Sequence, residues 1–479
     1  MFCEAREAWT VDMESKKKAL SWLMGLLGAA LLLRLLLAYV ILPGSGHAGD
    51  LNWYSMWAMS VSTVGPGEFY AKTVVNYPPG YIYVLWLIGE ISQAIASLTH
   101  ADIRDTTILL IKIPPILLDV GSGYLLYRIA LLWCDRDTTA VRTARIVAAS
   151  YLFNPVSLYD SSIWGQTDAA GAFIMLLGVM ALLRWPPEIA ASIAIIAALV
   201  KPQFGIVLVP LVGVVLLRRH VRPLESHFEP DMRAYWFGRQ GPLRILTAAC
   251  AAVAVFYLLL APFNLGLQGF IDLMTLNAQK YKYLTVNGFN PWALVSSGRN
   301  PPLVLAGVDN LSADDLPMIG SLAGVTIGTI LVALGFVLGI VRLAWRSDWR
   351  STILVGAFLN LCFFILPTRV HERYLFPTFA FMSLLIAFDR RWLWATACLA
   401  IGSLINLHAV LSKVGTVNVT TLPFGEFARS PAGIALGVTL QTAVFLFIGW
   451  SLRPDLEKRS RTESLTPKRV ELSPESPIP

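Results

Sequence analysis

Apolar stretches of roughly twenty residues, the length a helix needs to cross hydrocarbon, recur from Ala19 to Trp450. No soluble core absorbs so many. Inside a bilayer every backbone N–H and C=O must be satisfied within its own segment, which leaves helices as the natural solution. The fold class read from this pattern is all-α, a polytopic membrane protein with roughly 11–14 transmembrane helices. Charge agrees: 14% of the 479 residues are charged, where soluble domains average about 25%. The net charge of +7 sits mostly in short basic clusters between the apolar stretches. Such clusters report topology and give no reason to expect nucleic acid. The five cysteines are scattered without CxxC or metal spacing, so neither a disulfide framework nor a zinc site is expected.

The chain divides into a polar cytoplasmic segment 1–18 ending in Lys16-Lys17-Lys18, a membrane domain 19–452, and a basic, Ser- and Pro-rich tail 453–479 expected to be disordered and cytoplasmic. The first span carries Arg34, read as a side chain that snorkels to the interface. Two outer loops follow from the arginine distribution, 43–77 and 263–318. Within the first, Leu51 to Val61 reads as an amphipathic helix on the membrane surface, with its aromatic rings at headgroup level. Two apolar stretches carry breaks, at Lys112-Ile113-Pro114-Pro115 and at Lys201-Pro202-Gln203. Proline stops a helix there, so Glu188 to Leu217 is read as two short helices with Lys201 and Gln203 at the outer face.

Polar residues then gather on one side of the membrane, where ionisable groups are expensive and tend to mark function. The densest group is Pro367-Thr368-Arg369-Val370-His371-Glu372-Arg373-Tyr374, between two apolar spans. Two guanidinium forks and an imidazole suit a phosphate. A helix starting near His371 would add its free amides. The competing reading is an internal salt bridge of Glu372 with Arg369 or Arg373. Asp168, which starts a helix region, could be no more than a cap, and Asn154-Pro155 and Asn290-Pro291 no more than turn starters.

Taken in order, Asp50 after the first span, Tyr77-Pro78-Pro79-Gly80-Tyr81, Asn154-Pro155-Val156, Trp164-Gly165-Gln166-Thr167-Asp168, Lys201-Pro202-Gln203, Leu284 to Asn290 and Arg369 to Pro377 form a set. That set resembles the prokaryotic relatives of the second mannosyltransferase of GPI-anchor synthesis, in the GT-C superfamily of membrane glycosyltransferases. The resemblance implies a GT-C type fold and transfer of a sugar, mannose first, from a polyprenyl-phosphate donor to a lipid or glycan acceptor among membrane lipids. It implies a multi-pass protein of a bacterial plasma membrane, or of the endoplasmic reticulum in a eukaryote. It maps the catalytic carboxylate onto Asp50. Relatives often carry paired acidic residues there, and here Leu51 and Asn52 follow, so a divalent cation is left open and no metal ligand is named. Arg369, His371, Arg373 and Lys201 become candidates for the donor phosphate. Tyr77, Gln166, Asp168, Gln203, Asn287 and Asn290 become candidates for substrate binding. The alternative from another class is a transporter or flippase of lipid-linked sugars, since broken helices also suit transport sites. No inverted repeat is visible between the halves.

Overall fold

The structure, a computed structural model, describes residues 20–133, 138–221, 241–298, 300–346 and 348–453. The segment 1–18, most of the basic loop 218–244 and the tail from 454 lie outside the described residues. Among the described residues, eight helices are long and apolar enough to cross a membrane. They are Leu20–Ile41, Pro79–Thr99, Ile103–Trp133, Pro202–His220, Leu243–Phe263, Gly324–Trp345, Arg391–Val414 and Pro431–Ser451. The chain is an all-α, multi-pass membrane protein. The larger number of spans expected from hydropathy included shorter helices, among them Asp168–Arg184, Pro187–Val200, Trp349–Ile365 and Thr378–Leu385. Almost every residue of Trp349–Ile365 and all of Thr378–Leu385 is buried inside the protein. A helix buried all round is apolar all round, and composition alone cannot separate it from a lipid-facing span.

The two candidate breaks differ, and the sequence leaves the one at Lys112 open. At Lys201 the chain turns extended, φ −150° and ψ 135°, between the helices Pro187–Val200 and Pro202–His220. At Lys112 the backbone stays helical, so Ile103–Trp133 forms one run interrupted at a single residue. Proline at 114 and 115 falls in the first turn after that residue, where no intrahelical N–H bond is lost.

Two expectations fail. Arg34 does not snorkel: it is fully buried and donates to Asp119 Oδ2 at 3.4 Å, Ser157 Oγ at 3.0 Å and the Ala30 carbonyl at 3.3 Å. An Asp on a neighbouring helix gave it a partner that the sequence spacing did not reveal. The stretch after Asp50 is a helix, Ala48–Val64, but Tyr54 and Trp57 are core residues packed on Tyr77, not an interfacial belt. Only Trp53 of that group keeps a large exposed surface. The helix packs along Pro79–Thr99, which covers the face that would otherwise meet headgroups.

The long outer loop folds onto the site. After the helix Leu267–Lys280, residues 283–287 pair with the 369–371 segment: Arg369 N–H donates to the Tyr283 carbonyl at 3.0 Å and Val286 N–H to the Val370 carbonyl at 2.9 Å. The strands Pro317–Ile319 and Leu322–Ala323 close a short antiparallel hairpin before the next span.

Candidate functional site

Asp50 lies in the first turn of its helix, where a negative charge is favoured. The preceding His47 caps that helix, its Nδ1 accepting from the Asp50 N–H at 3.1 Å. The imidazole lies flat on Trp164, centroids 5.4 Å apart. One carboxylate oxygen, Oδ2, accepts from Trp164 Nε1 at 2.8 Å and from Gln166 Nε2 at 2.7 Å. Burial pushes the Asp50 pKa up, but Arg373, His47 and these two donors outweigh it and hold the group at about 2.

Gln166 is the hub. Its Oε1 accepts from Tyr54 at 2.8 Å, from the Thr167 N–H at 2.9 Å and from Lys201 Nζ at 3.4 Å. A backbone N–H can only donate, so the amide is oriented with its NH2 toward Asp50. The turn that presents it is a π-helical segment, Tyr159–Trp164, closed by Gly165 and Gln166 N–H bonds to the Asp160 carbonyl at 3.1 Å each. Gly165 sits at φ +79°, and a Cβ there would press on Leu51. That explains the glycine of the Trp-Gly-Gln motif.

Lys201 is buried and donates to Asp168 Oδ1 at 2.7 Å, 5.5 Å above the Tyr77 ring. Burial works against its charge, yet Asp168 and Tyr77 leave its pKa raised. Asp168 is therefore an ion-pair partner, while Thr167 occupies the cap position. Tyr77 and Tyr54 share a hydroxyl contact at 2.9 Å. The Tyr-Pro-Pro-Gly-Tyr motif is tight because Gly80 abuts the Leu199 carbonyl, where a Cβ would come within 2.5 Å.

Arg373 reaches the same place from the far end of the chain. Its Nη1 meets Glu372 Oε1 at 2.5 Å, its Nε stands 3.5 Å from Asp168 Oδ2, and its guanidinium is 5.8 Å over the Trp164 ring. Thus Asp50, Tyr77, Gln166, Asp168, Lys201 and Arg373 form one cluster. His371 borders it, edge-on to Tyr281 at 4.7 Å. Burial and the charge of Arg373 hold the His371 pKa well below its usual value.

Other candidates point elsewhere. Arg369, at φ 65°, spends its fork on Asp314, 2.7 and 3.0 Å, and on the Ala278 carbonyl at 2.6 Å. Asn287 bonds Asp309 at 2.7 Å, and Asn290 donates to the Phe364 carbonyl at 2.9 Å; both brace the loop. Gln203 is buried in the first turn of its helix, directly after Pro202. No helix begins at His371: that residue bridges to Val286 and Asn287, residues 372–377 run as successive turns and the helix starts at Thr378, so its amides do not add to the side chains. Proline at 377 fixes that start.

His47, Trp164 and Lys280 complete the surroundings of Asp50 and were not singled out as site residues. Lys280 lies 5.8 Å over Trp53 and 5.3 Å over Tyr281. The signal for Trp164 was present in its motif, two residues before Gln166. Asp160, one of the polar residues the sequence places on the outer face, is fully buried with neither carboxylate oxygen hydrogen-bonded among the described residues. Among the described residues no three His, Cys, Asp or Glu side chains are grouped to hold a metal ion. Asp50 itself has Leu51 and Asn52 beside it and two protein donors on one oxygen. That donor set does not fit a divalent cation, and no step is assigned to one.

The fold and the cluster define a class: an all-helical, multi-pass membrane protein with the carboxylates of Asp50 and Asp168 and the cations of Lys201 and Arg373 gathered at the ends of several helices. The family model for the GPI transamidase subunit PIG-U matches residues 65–294, just under half of the chain. No curated protein matches. Among solved structures, the oligosaccharyltransferase of Archaeoglobus fulgidus, tethered to an acceptor peptide containing the NVT sequon, is similar at 14% identity and a TM-score of 0.36. The match covers 88% of this chain and 55% of that one, so this chain spans little more than half the length of that enzyme.

Proposed function

We propose that this protein is a GT-C type glycosyltransferase that moves a sugar, mannose by resemblance, from a polyprenyl-phosphate donor to a lipid or glycan acceptor. The observation that carries the reading is Asp50, a mostly buried carboxylate with one oxygen fixed by Trp164 and Gln166, with Arg373 and Lys201 gathered around the same glutamine and tryptophan. The acceptor hydroxyl gives its proton to Asp50 as its oxygen bonds to the anomeric carbon. The bond from that carbon to the phosphate oxygen breaks, and the leaving lipid phosphate keeps the electron pair. One base and one stabilised leaving group suffice for inversion.

A carboxylate at about 2 is a weak base. The remedy is built in: Arg373 is the leading positive influence on Asp50. A donor phosphate that draws Arg373 toward itself weakens that influence and raises the Asp50 pKa when the substrate is present. Binding of the donor and strengthening of the base are thereby linked.

A second reading, a subunit of a transamidase, is favoured by the PIG-U match over 65–294. One experiment separates them. Purified protein is incubated with radiolabelled polyprenyl-phosphate mannose, and with other polyprenyl-phosphate hexoses, in the presence of membrane lipid extract as acceptor. A transferase releases free polyprenyl phosphate and labels a new product. A subunit or a flippase leaves every donor intact.

A further inference from the structure

The helix Leu267–Lys280 has little protein to lie on. Of its 14 residues only Leu273 is fully buried. A helix of that length is marginal in water by itself, so a second surface has to support it. Its residues fall on distinct flanks at helical spacing. Phe270, Leu273 and Asn277 form the flank toward the protein: Phe270 meets the Phe256 ring edge-on at 5.2 Å, and Asn277 Nδ2 donates to the Asn76 carbonyl. Gln268, Asp272 and Gln279 form a polar flank, where Gln268 Nε2 donates to Asp272 Oδ1 at 2.9 Å. Between the two runs an apolar flank of Leu267, Ile271, Met274 and Ala278. Leu267 and Ile271 there stay 48% and 46% exposed.

The place of the helix says what covers that flank. The span Leu243–Phe263 ends just before it, and Asn264, at φ 50°, turns the chain out of the span. Leu258, near the outer end of the span, is 70% exposed, and Tyr257 beside it is also open, as residues facing lipid are. The contact of Phe256 with Phe270 holds the helix across the end of the span. The apolar flank adjoins Phe270 on the helix, so it continues the lipid-facing surface around a corner. At its far end the helix reaches the site, where the Ala278 carbonyl accepts from Arg369 and Lys280 stands over Trp53 and Tyr281.

We propose that this helix lies in the membrane interface on the side that carries Asp50, with Leu267, Ile271 and Met274 among the acyl chains just below the headgroups and the Gln268–Asp272 flank in water. Its partner is the phospholipid leaflet. The apolar flank holds no charged side chain, so nothing on it selects a headgroup, and a zwitterionic lipid suffices. The surface helix expected from sequence at Leu51 to Val61 is covered by Pro79–Thr99; Leu267–Lys280 has no such cover and takes that place.

The test uses the full chain in nanodiscs of phosphatidylcholine, with p-benzoylphenylalanine placed at Ile271 or at Asp272. These neighbours in sequence point about 100° apart on a helix, one toward lipid and one toward water. After irradiation the adducts are read by mass spectrometry. The Ile271 protein should carry phosphatidylcholine, and the Asp272 protein should have lost that adduct. Both positions are exposed, so both proteins should melt with the parent. Lipid adducts alike at both positions, an adduct at Ile271 to protein instead of lipid, or no adduct at Ile271 in a folded protein would overturn the proposal. No sugar donor enters the test, so its result stands apart from the transfer reading.

Discussion

Arg373 offers a perturbation whose outcomes divide sharply. It is the shared counter-ion of Glu372 and Asp168 and the main positive influence on Asp50. Arg373→Gln leaves Glu372, itself buried, with only His371 nearby. Breaking a buried pair from one side costs about 3–5 kcal/mol, so this variant should melt well below the parent. Arg373→Lys keeps the charge. A single ammonium cannot face Glu372 and two phosphate oxygens together, so donor binding should weaken by about 1–3 kcal/mol, roughly ten- to a hundredfold. The single-turnover rate should fall as well, because the charge on the leaving phosphate grows in the transition state. Glu372→Gln should do the reverse. It frees Arg373 from a competing carboxylate, leaves Asp168 in place, and should bind donor as well as the parent or better. If Arg373 were scaffold alone, Glu372→Gln and Arg373→Gln would lower the melting temperature alike and leave donor affinity unmoved. Donor affinity, single-turnover rate and melting temperature for the three variants decide it. A stable Arg373→Lys protein with unchanged affinity and rate would refute the phosphate role.

Three further predictions follow from the geometry. The depressed Asp50 pKa means that its stabilisation is present above the usual carboxylate range and is lost as pH falls toward about 2; in Arg373→Gln less stabilisation remains to be lost, so the acid-induced fall should be smaller, readable by acid denaturation in detergent. Asp160 shifts the other way: burial, then Asp168 and Asp119, raise its pKa well above normal, so the fold favours its protonated form and loses stability as pH rises from the usual carboxylate range. Asp160→Asn, neutral at every pH, should melt higher than the parent at neutral pH and converge with it near pH 4, whereas a lower melting temperature at neutral pH would mean that Asp160 has an ionic partner. Single cysteines at the exposed positions Ser296 and Thr421 should react with an impermeant thiol reagent from the face that carries Asp50, and one at Asp348 should not; labelling of Asp348 from that face would reverse the placement of the cluster.

How much of this was legible beforehand depends on the kind of signal. Helices and the Lys201 break follow from hydropathy and proline, both local. The grouping of Asp50, Gln166, Lys201 and Arg373 came from motif order and from which side of the membrane each loop faced. Neither says which atom bonds which. Arg369 and Arg373 look equivalent in sequence, but only the fold shows that Asp314, more than fifty residues earlier, takes the first. Arg34 looked like a snorkelling side chain because its partner Asp119 is eighty-five residues away. The interfacial belt failed for a related reason: aromatic residues beside a membrane suit headgroups or a core equally, and Tyr77 decided for the core. Short helices buried in the protein and spans facing lipid look alike in composition, because lipid and protein interior select the same side chains.

The central claim is that Asp50 is the base of a transfer from a lipid phosphate, and Asp50→Asn tests it most directly. Trp164 and Gln166 both donate to a single oxygen, so an asparagine carbonyl can accept both bonds and its NH2 can occupy the other position. Folding should be nearly unchanged while basicity is lost. Measured as acceptor-dependent release of free polyprenyl phosphate from a polyprenyl-phosphate hexose, the parent should turn over and Asp50→Asn should be slower by about 10²–10⁴-fold at a similar melting temperature. Equal release by both proteins, with Asp50→Asn well folded, would contradict the account.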